Sequence, residues 1–149
     1  MCHDEEGFYD PSPETYNRLV SRLVNKIRVN MNIVLEYSEY LTDNADYLFI
    51  SFGSTARSLL PVIRYLREKG VRAGLLRLKT LWPLPEDVIR DLSLRAKRVI
   101  VVEVNSGQLV LDVKRIVGAE KTCSLTFLIP DIPLPDEILE RLDECVSSR

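Results

Sequence analysis

Histidine is almost missing from this chain of 149 residues: the one present, His3, sits in the acidic terminal run Cys2-His3-Asp4-Glu5-Glu6. A Ser-His-Asp or Cys-His arrangement needs an imidazole held against its nucleophile by packing, and a terminal segment expected to fray does not provide that. The three cysteines, Cys2, Cys123 and Cys145, are odd in number and far apart, and no CxxC pair occurs. Such a set assembles neither a structural zinc site nor an iron–sulfur cluster. Cys123 in an apolar run and Cys145 in an amphipathic segment read as small buried hydrophobes. An excess of one charge is also absent, with 20 Lys and Arg against 22 Asp and Glu, so electrostatics favours neither nucleic acid nor an anionic membrane. No apolar run approaches the ~20 residues of a spanning helix, and the first residues lack the basic and apolar regions of a secretory leader. A cytoplasmic protein with no nucleic-acid or membrane partner is expected.

What is present is an alternation of apolar runs and helix-period segments. The central unit runs from Tyr47 to Pro85. Tyr47 to Phe52 is apolar without polar alternation, as a parallel strand covered on both faces must be. Ala56, Leu59, Ile63 and Leu66 then recur on one helical stripe as far as Gly70, which suits a left-handed helix end. Val71 to Leu78 is a second apolar run, so the unit is β-α-β. Pro61 disagrees with a regular helix: either Ser58 is the cap and Pro61 lies in the first turn, or the helix is kinked.

Around this unit, Ser12-Pro13-Glu14 opens a helix carrying Tyr16, Leu19, Val20, Leu23 and Ile27, and residues 1–11 read as a linker or arm preceding one α/β domain over 12–149. Ile33 to Tyr40 is assigned to a strand. Pro85-Glu86-Asp87 starts a helix with Val88, Ile89, Leu92 and Ala96 inward. Arg98 to Val104 is a buried strand, and Leu109, Val113, Ile116 and Val117 form the next helical stripe, stopped by Gly118. Thr122 to Leu128 is a last strand, followed by a helix with Ile138, Leu139, Leu142 and Val146, and Ser147-Ser148-Arg149 is a tail.

Candidate functional residues fall after the carboxyl ends of the strands, the edge where open α/β sheets bind ligands. Gly53, Ser54, Thr55 and Arg57 stand where a strand turns into a helix, so the hydroxyls either cap the helix or, with Arg57 as countercharge, help its free N–H groups hold an anion. The pattern GSTARS is neither a Walker loop nor a dinucleotide fingerprint. Glu103 is an acid within an apolar strand and must be hydrogen-bonded or paired, with Arg57 or Arg77 as possible partners, or else serve binding. Asn105, Gly107 and Gln108 follow it. Trp82 is either a core residue or an interface anchor.

Together these blocks resemble a known family. HDEEG, DNADYLFISFGSTARS, GLLRLKTLWPLPEDVI and VVEVNSGQLVLDV, in this order, are similar to the C-terminal part of the α subunit of the 2-oxoacid:ferredoxin oxidoreductases over about Cys2 to Val117. The resemblance implies a transketolase C-terminal-like domain, a three-layer α/β/α sandwich on a mainly parallel sheet of about five strands. It also implies a setting: a multisubunit enzyme that oxidatively decarboxylates a 2-oxo acid with thiamine diphosphate and magnesium, passes electrons through iron–sulfur clusters to ferredoxin, and forms an acyl-CoA. Those cofactors are implied on partner chains, none being bound by this chain alone. The chain departs from the family at Leu128 to Pro133, where a glycine pair is usual, and at Lys79.

Two functions fit these residues. One is an assembly domain or split subunit of such an oxidoreductase, inactive in isolation, with Gly53, Ser54, Thr55, Arg57, Trp82, Glu103, Asn105, Gly107 and Gln108 along a partner- or ligand-facing edge and no catalytic or metal-binding residue. The other is a stand-alone module binding a small anion or nucleotide.

Overall fold

The computed structural model describes residues 2–128 and 131–146. The chain groups into two compact units that divide after Leu35. The first holds α1 (Pro13–Arg28) and the short α2 (Met31–Val34). Ser12 caps α1 as expected, its Oγ accepting from Thr15 N at 3.3 Å, and the preceding residues form a hydrogen-bonded turn in which Asp4 accepts from Glu6 N and Phe8 N. The expected stripe on α1 is largely exposed, with Tyr16 at 54% and Leu23 at 53%. The division places α1 with the N-terminal residues, whereas the sequence boundary fell between residues 11 and 12.

The second unit contains a five-stranded sheet in the order β1-β3-β2-β4-β5, formed by β1 (Tyr37–Tyr40), β2 (Tyr47–Phe52), β3 (Ala73–Leu78), β4 (Arg98–Glu103) and β5 (Thr122–Thr126). All pairings are parallel except that of the edge strand β1 with β3. The expected strand over Ile33 to Tyr40 is therefore half correct: Ile33 and Val34 complete a helical turn, and pairing begins at Tyr37. The helices are α3 (Thr55–Glu68), α4 (Glu86–Arg95), α5 (Leu109–Val117), α6 (Pro135–Arg141) and α7 (Asp143–Val146). The final helix expected from the sequence is thus broken at Leu142. The Val146 side chain and the tail Ser147-Ser148-Arg149 lie outside what is described.

Strand alternation sorts the core into two layers. Leu48, Ile50, Leu76, Val99 and Val101 face α4 and α5. Phe49, Leu75, Ile100, Val102 and Leu125 face α3 and α6. Both faces of the central strands are covered, which is why their sequences show no polar alternation. Each such side chain contributes about 1.5–3 kcal/mol on leaving water. The three-layer α/β/α sandwich on a mainly parallel sheet is as expected.

Three details differ from the sequence reading. Helix α3 begins at Thr55, with Ser54 as N-cap, and runs through Pro61, so the cap is not Ser58; buried Leu59, Val62 and Ile63 hold the segment on the sheet across the missing N–H. Cys123 and Cys145 are joined in a disulfide, with Cα atoms 5.5 Å apart and a sequence separation of 22. Cys145 is buried as expected, but sequence distance concealed the fact that the last helical turn returns to β5. Gly74 carries a packing role not foreseen: a Cβ there would lie 2.5 Å from Leu41 O and 2.9 Å from Ala45 Cβ.

Candidate functional site

The loops after β2, β3, β4 and β5 emerge at the carboxyl ends of parallel strands and so share one edge of the sheet. Gly53 turns the chain out of β2 with φ 59°, a left-handed conformation that favours glycine. Ser54 then caps α3 without a side-chain hydrogen bond, and its carbonyl accepts from Arg57 N at 2.8 Å. Thr55 is buried, whereas Ser54 and Arg57 are exposed. Two residues before Gly53, the Ser51 hydroxyl donates to Val102 O of the neighbouring strand at 2.7 Å, tying β2 to β4 immediately below the edge.

Glu103 ends β4 with no exposed surface. Its Oε2 accepts from Leu109 N at 2.9 Å and its Oε1 from Val110 N at 3.0 Å. The carboxylate therefore caps α5, satisfying two N–H groups that the helix start leaves without partners and placing negative charge at the positive end of the dipole. The suggested pairing with Arg57 or Arg77 does not occur, because alternation along β4 turns Glu103 toward the α4/α5 layer while Arg77 and α3 belong to the other. Asn105 completes the cap, its Oδ1 accepting from Gly107 N at 2.7 Å and Gln108 N at 3.0 Å. Four successive N–H groups, Gly107 to Val110, are thus held by the chain's own side chains. An incoming anion has no donor to gain at this helix end.

The loop after β3 carries Trp82, 74% exposed, followed by Pro83 in a cis peptide bond. The core alternative for Trp82 is excluded. Leu81 beside it is 43% exposed, and a small polar recess below is bordered by Glu86, Asp112 and Arg115. There Arg115 reaches Glu86 at 2.6 Å and holds its carboxyl below the usual range, while Asp112 lies 3.7 Å from the same guanidinium. The loop after β5 exposes Leu128, Ile132 and Leu134 at 79%, 47% and 64%. These apolar residues were not singled out from the sequence. A signal existed: Trp82-Pro83-Leu84-Pro85 and Ile132-Pro133-Leu134-Pro135 are similar tetrapeptides, each leading into a helix, and prolines hold such loops off the sheet.

The edge therefore combines an α5 end capped by side chains, an α3 end without a side-chain cap, and protruding apolar loops. Among the described residues, no three His, Cys, Asp or Glu side chains stand together in a way that would hold a metal ion. With Glu103 and Asn105 occupying the α5 donors as well, that helix end does not fit a diphosphate and its magnesium ion, and no chemical step is assigned to it.

Comparison with known families decides the classification. Residues 45–129 match the model described as pyruvate:ferredoxin oxidoreductase core domain II. The chain belongs to that family. It is 37% identical over 139 residues to a 2-oxoglutarate synthase subunit KorA of Methanocaldococcus jannaschii, covering 93% of this chain and 37% of that protein. It is also 37% identical over 91 residues to a ketoisovalerate oxidoreductase subunit VorB of Methanothermobacter thermautotrophicus, covering 61% and 26%. Among solved structures, a 2-oxoglutarate:ferredoxin oxidoreductase from Magnetococcus marinus, with 2-oxoglutarate, coenzyme A and succinyl-CoA bound, superposes with a TM-score of 0.81 at 25% identity, covering 97% of this chain and 25% of that one. A split-gene transketolase superposes at 0.55 with 15% identity, a likeness of fold alone. The family resemblance and the transketolase-like architecture read from the sequence both hold. The chain spans little more than a third of the length of the curated relatives it matches. No helix among the described residues is long and apolar enough to cross a membrane.

Proposed function

We propose that this core domain II polypeptide serves as an assembly domain or separately encoded subunit of a 2-oxoacid:ferredoxin oxidoreductase, docking through its carboxyl edge and contributing no complete active site. The observation that carries the reading is the exposed Trp82, a residue type that anchors interfaces, projecting from a loop fixed at the carboxyl end of a buried strand. Leu81, Leu128, Ile132 and Leu134 extend the apolar character of the same edge, and Gly53, Ser54, Arg57, Asn105 and Gln108 supply polar contacts between. Thiamine diphosphate, magnesium and iron–sulfur clusters are then carried by partner chains, which also meet the 2-oxo acid, coenzyme A and ferredoxin. On this reading the complex works in the cytoplasm. Glu103, with no exposed surface, holds the edge in shape from within.

The test is purification of the tagged protein without oxygen from its own source, followed by an assay of 2-oxo-acid-dependent dye reduction with and without coenzyme A. Recovery of partners bearing thiamine diphosphate and iron–sulfur clusters, with coenzyme A-dependent turnover, is expected. Recovery of the chain alone, colourless and inactive, refutes the proposal.

A further inference from the structure

Near the amino ends of the strands, the second unit contains an apolar cleft of about 370 Å³. Phe49 forms its floor, Tyr65 and Leu66 of α3 one wall, and Leu139, Leu142 and Asp143 the other. That second wall is built from two very short helices, of 7 and 4 residues, and pieces of that length do not persist on propensity alone. Tertiary contacts hold them. Ile138 and Leu142 are buried against the sheet, Arg141 donates to Thr126 O at 2.6 Å and lies 4.8 Å from the Phe127 ring, and Cys145 is bonded to Cys123. The first three anchors lie in α6 or at its end. The covalent tie of α7 to the sheet is the disulfide, and it attaches to β5, which ends the strand order and pairs with β4 on one side.

We propose that the Cys123–Cys145 disulfide is a reducible latch: closed, it holds α7 as part of the cleft wall, and opened by a dithiol reductant, it releases that wall while the sheet stays folded. Cys123 is half-buried and Cys145 fully buried, so a thiolate of the reductant attacks the Cys123 sulfur and the S–S bond breaks with Cys145 leaving as thiolate, which takes up a proton. The second thiol of the reductant then displaces Cys123 from the mixed disulfide. Two electrons and two protons have passed to the cysteines, and the reductant has become a disulfide. What changes locally is the loss of the tie on a four-residue helix. The sheet core, built from β2, β3 and β4 and covered on both faces, does not depend on that tie. The argument rests on the anchoring of α6 and α7 and is independent of the proposed partner edge.

The test is amide hydrogen exchange with mass spectrometry on the full chain, with alkylation by iodoacetamide to count thiols. Before reduction one thiol, that of Cys2, should react, and after dithiothreitol three should. Exchange over 143–146, read by difference between overlapping peptides, should be at least tenfold faster after reduction, that of β2 and β4 should be unchanged, and oxidised glutathione should restore the original protection. Three results overturn the proposal: alkylation of Cys123 and Cys145 without reductant, undiminished protection of 143–146 after complete reduction, or simultaneous loss of protection throughout the sheet, which would make the bond a general staple.

Discussion

Replacing Glu103 tests whether a strand carboxylate organises the edge. The carboxylate is fully buried and both oxygens accept backbone N–H groups, from Leu109 and Val110. Glu103→Gln keeps the shape but turns one acceptor into an NH2 group aimed at a donor. One buried N–H is left unsatisfied and the remaining bond loses its ionic character, a combined cost of about 2 kcal/mol. Glu103→Ala removes both acceptors and opens a void, costing ~3–5 kcal/mol after allowing for relief from burying a charge. For a chain of this size 2 kcal/mol corresponds to a fall of about 4–8 °C in Tm. Thermal unfolding followed by far-ultraviolet circular dichroism reads both, and the order wild type, Gln, Ala should be the order of stability. Hydrogen exchange at Leu109 and Val110 should rise in both variants. A Gln variant melting within about 1 °C of wild type would refute the assignment of the carboxylate as a double cap.

Gly74→Ala should lose roughly 1–3 kcal/mol in urea unfolding, because the new methyl meets the Leu41 carbonyl and the Ala45 side chain and the backbone has to move; an unchanged midpoint would show that the Leu41 turn yields freely. Asp46 is held below the ordinary carboxylate range by its hydrogen bonds from Arg72, with Lys97 adding to the effect. A depressed native pKa gives stability that is present above the unfolded-state value and lost as pH falls through the native one. Asp46→Asn should therefore be less stable than wild type at neutral pH and converge with it below about pH 3.8, near the unfolded carboxylate value, in a series of melts; a difference independent of pH would remove the ion pairs as its cause. Trp82→Ala should leave the isolated chain's unfolding midpoint within about 0.5 kcal/mol of wild type, since the side chain is 74% exposed, while weakening partner capture by the ~2 kcal/mol or more of an interface anchor. Equal recovery of partners by both proteins would move the interface away from this loop.

How much of this was legible in the residues depended on the range of the interaction. The sheet was readable because central strands such as Tyr47–Phe52 and Arg98–Glu103 are apolar on both faces, and the helix stripes because spacing alone places Leu59 and Ile63, or Ile89 and Leu92, on one side. Glu103 stands out in the sequence as an acid in an apolar strand, and charge alone points to an arginine partner, but alternation along β4 turns it toward α5 and away from Arg77. An acid ending a strand six residues before a helix start is within reach of that helix's free N–H groups, and this short-range signal was available in the sequence. The disulfide gave no such signal: Cys123 and Cys145 meet because α6 folds back across the sheet, a fact of topology rather than of local pattern. The exposure of Trp82 was equally hidden, since Lys79-Thr80-Leu81-Trp82 fits a core or a surface equally well until β3 ends at Leu78 and the chain leaves the sheet. The capping carboxylate and the exposed loops have complementary parts at this edge. Glu103 and Asn105 occupy the α5 donors that would otherwise attract a small anion, whereas Trp82, Leu128, Ile132 and Leu134 leave apolar surface exposed on the loops of the same edge, and on the proposed function that surface is what a partner covers.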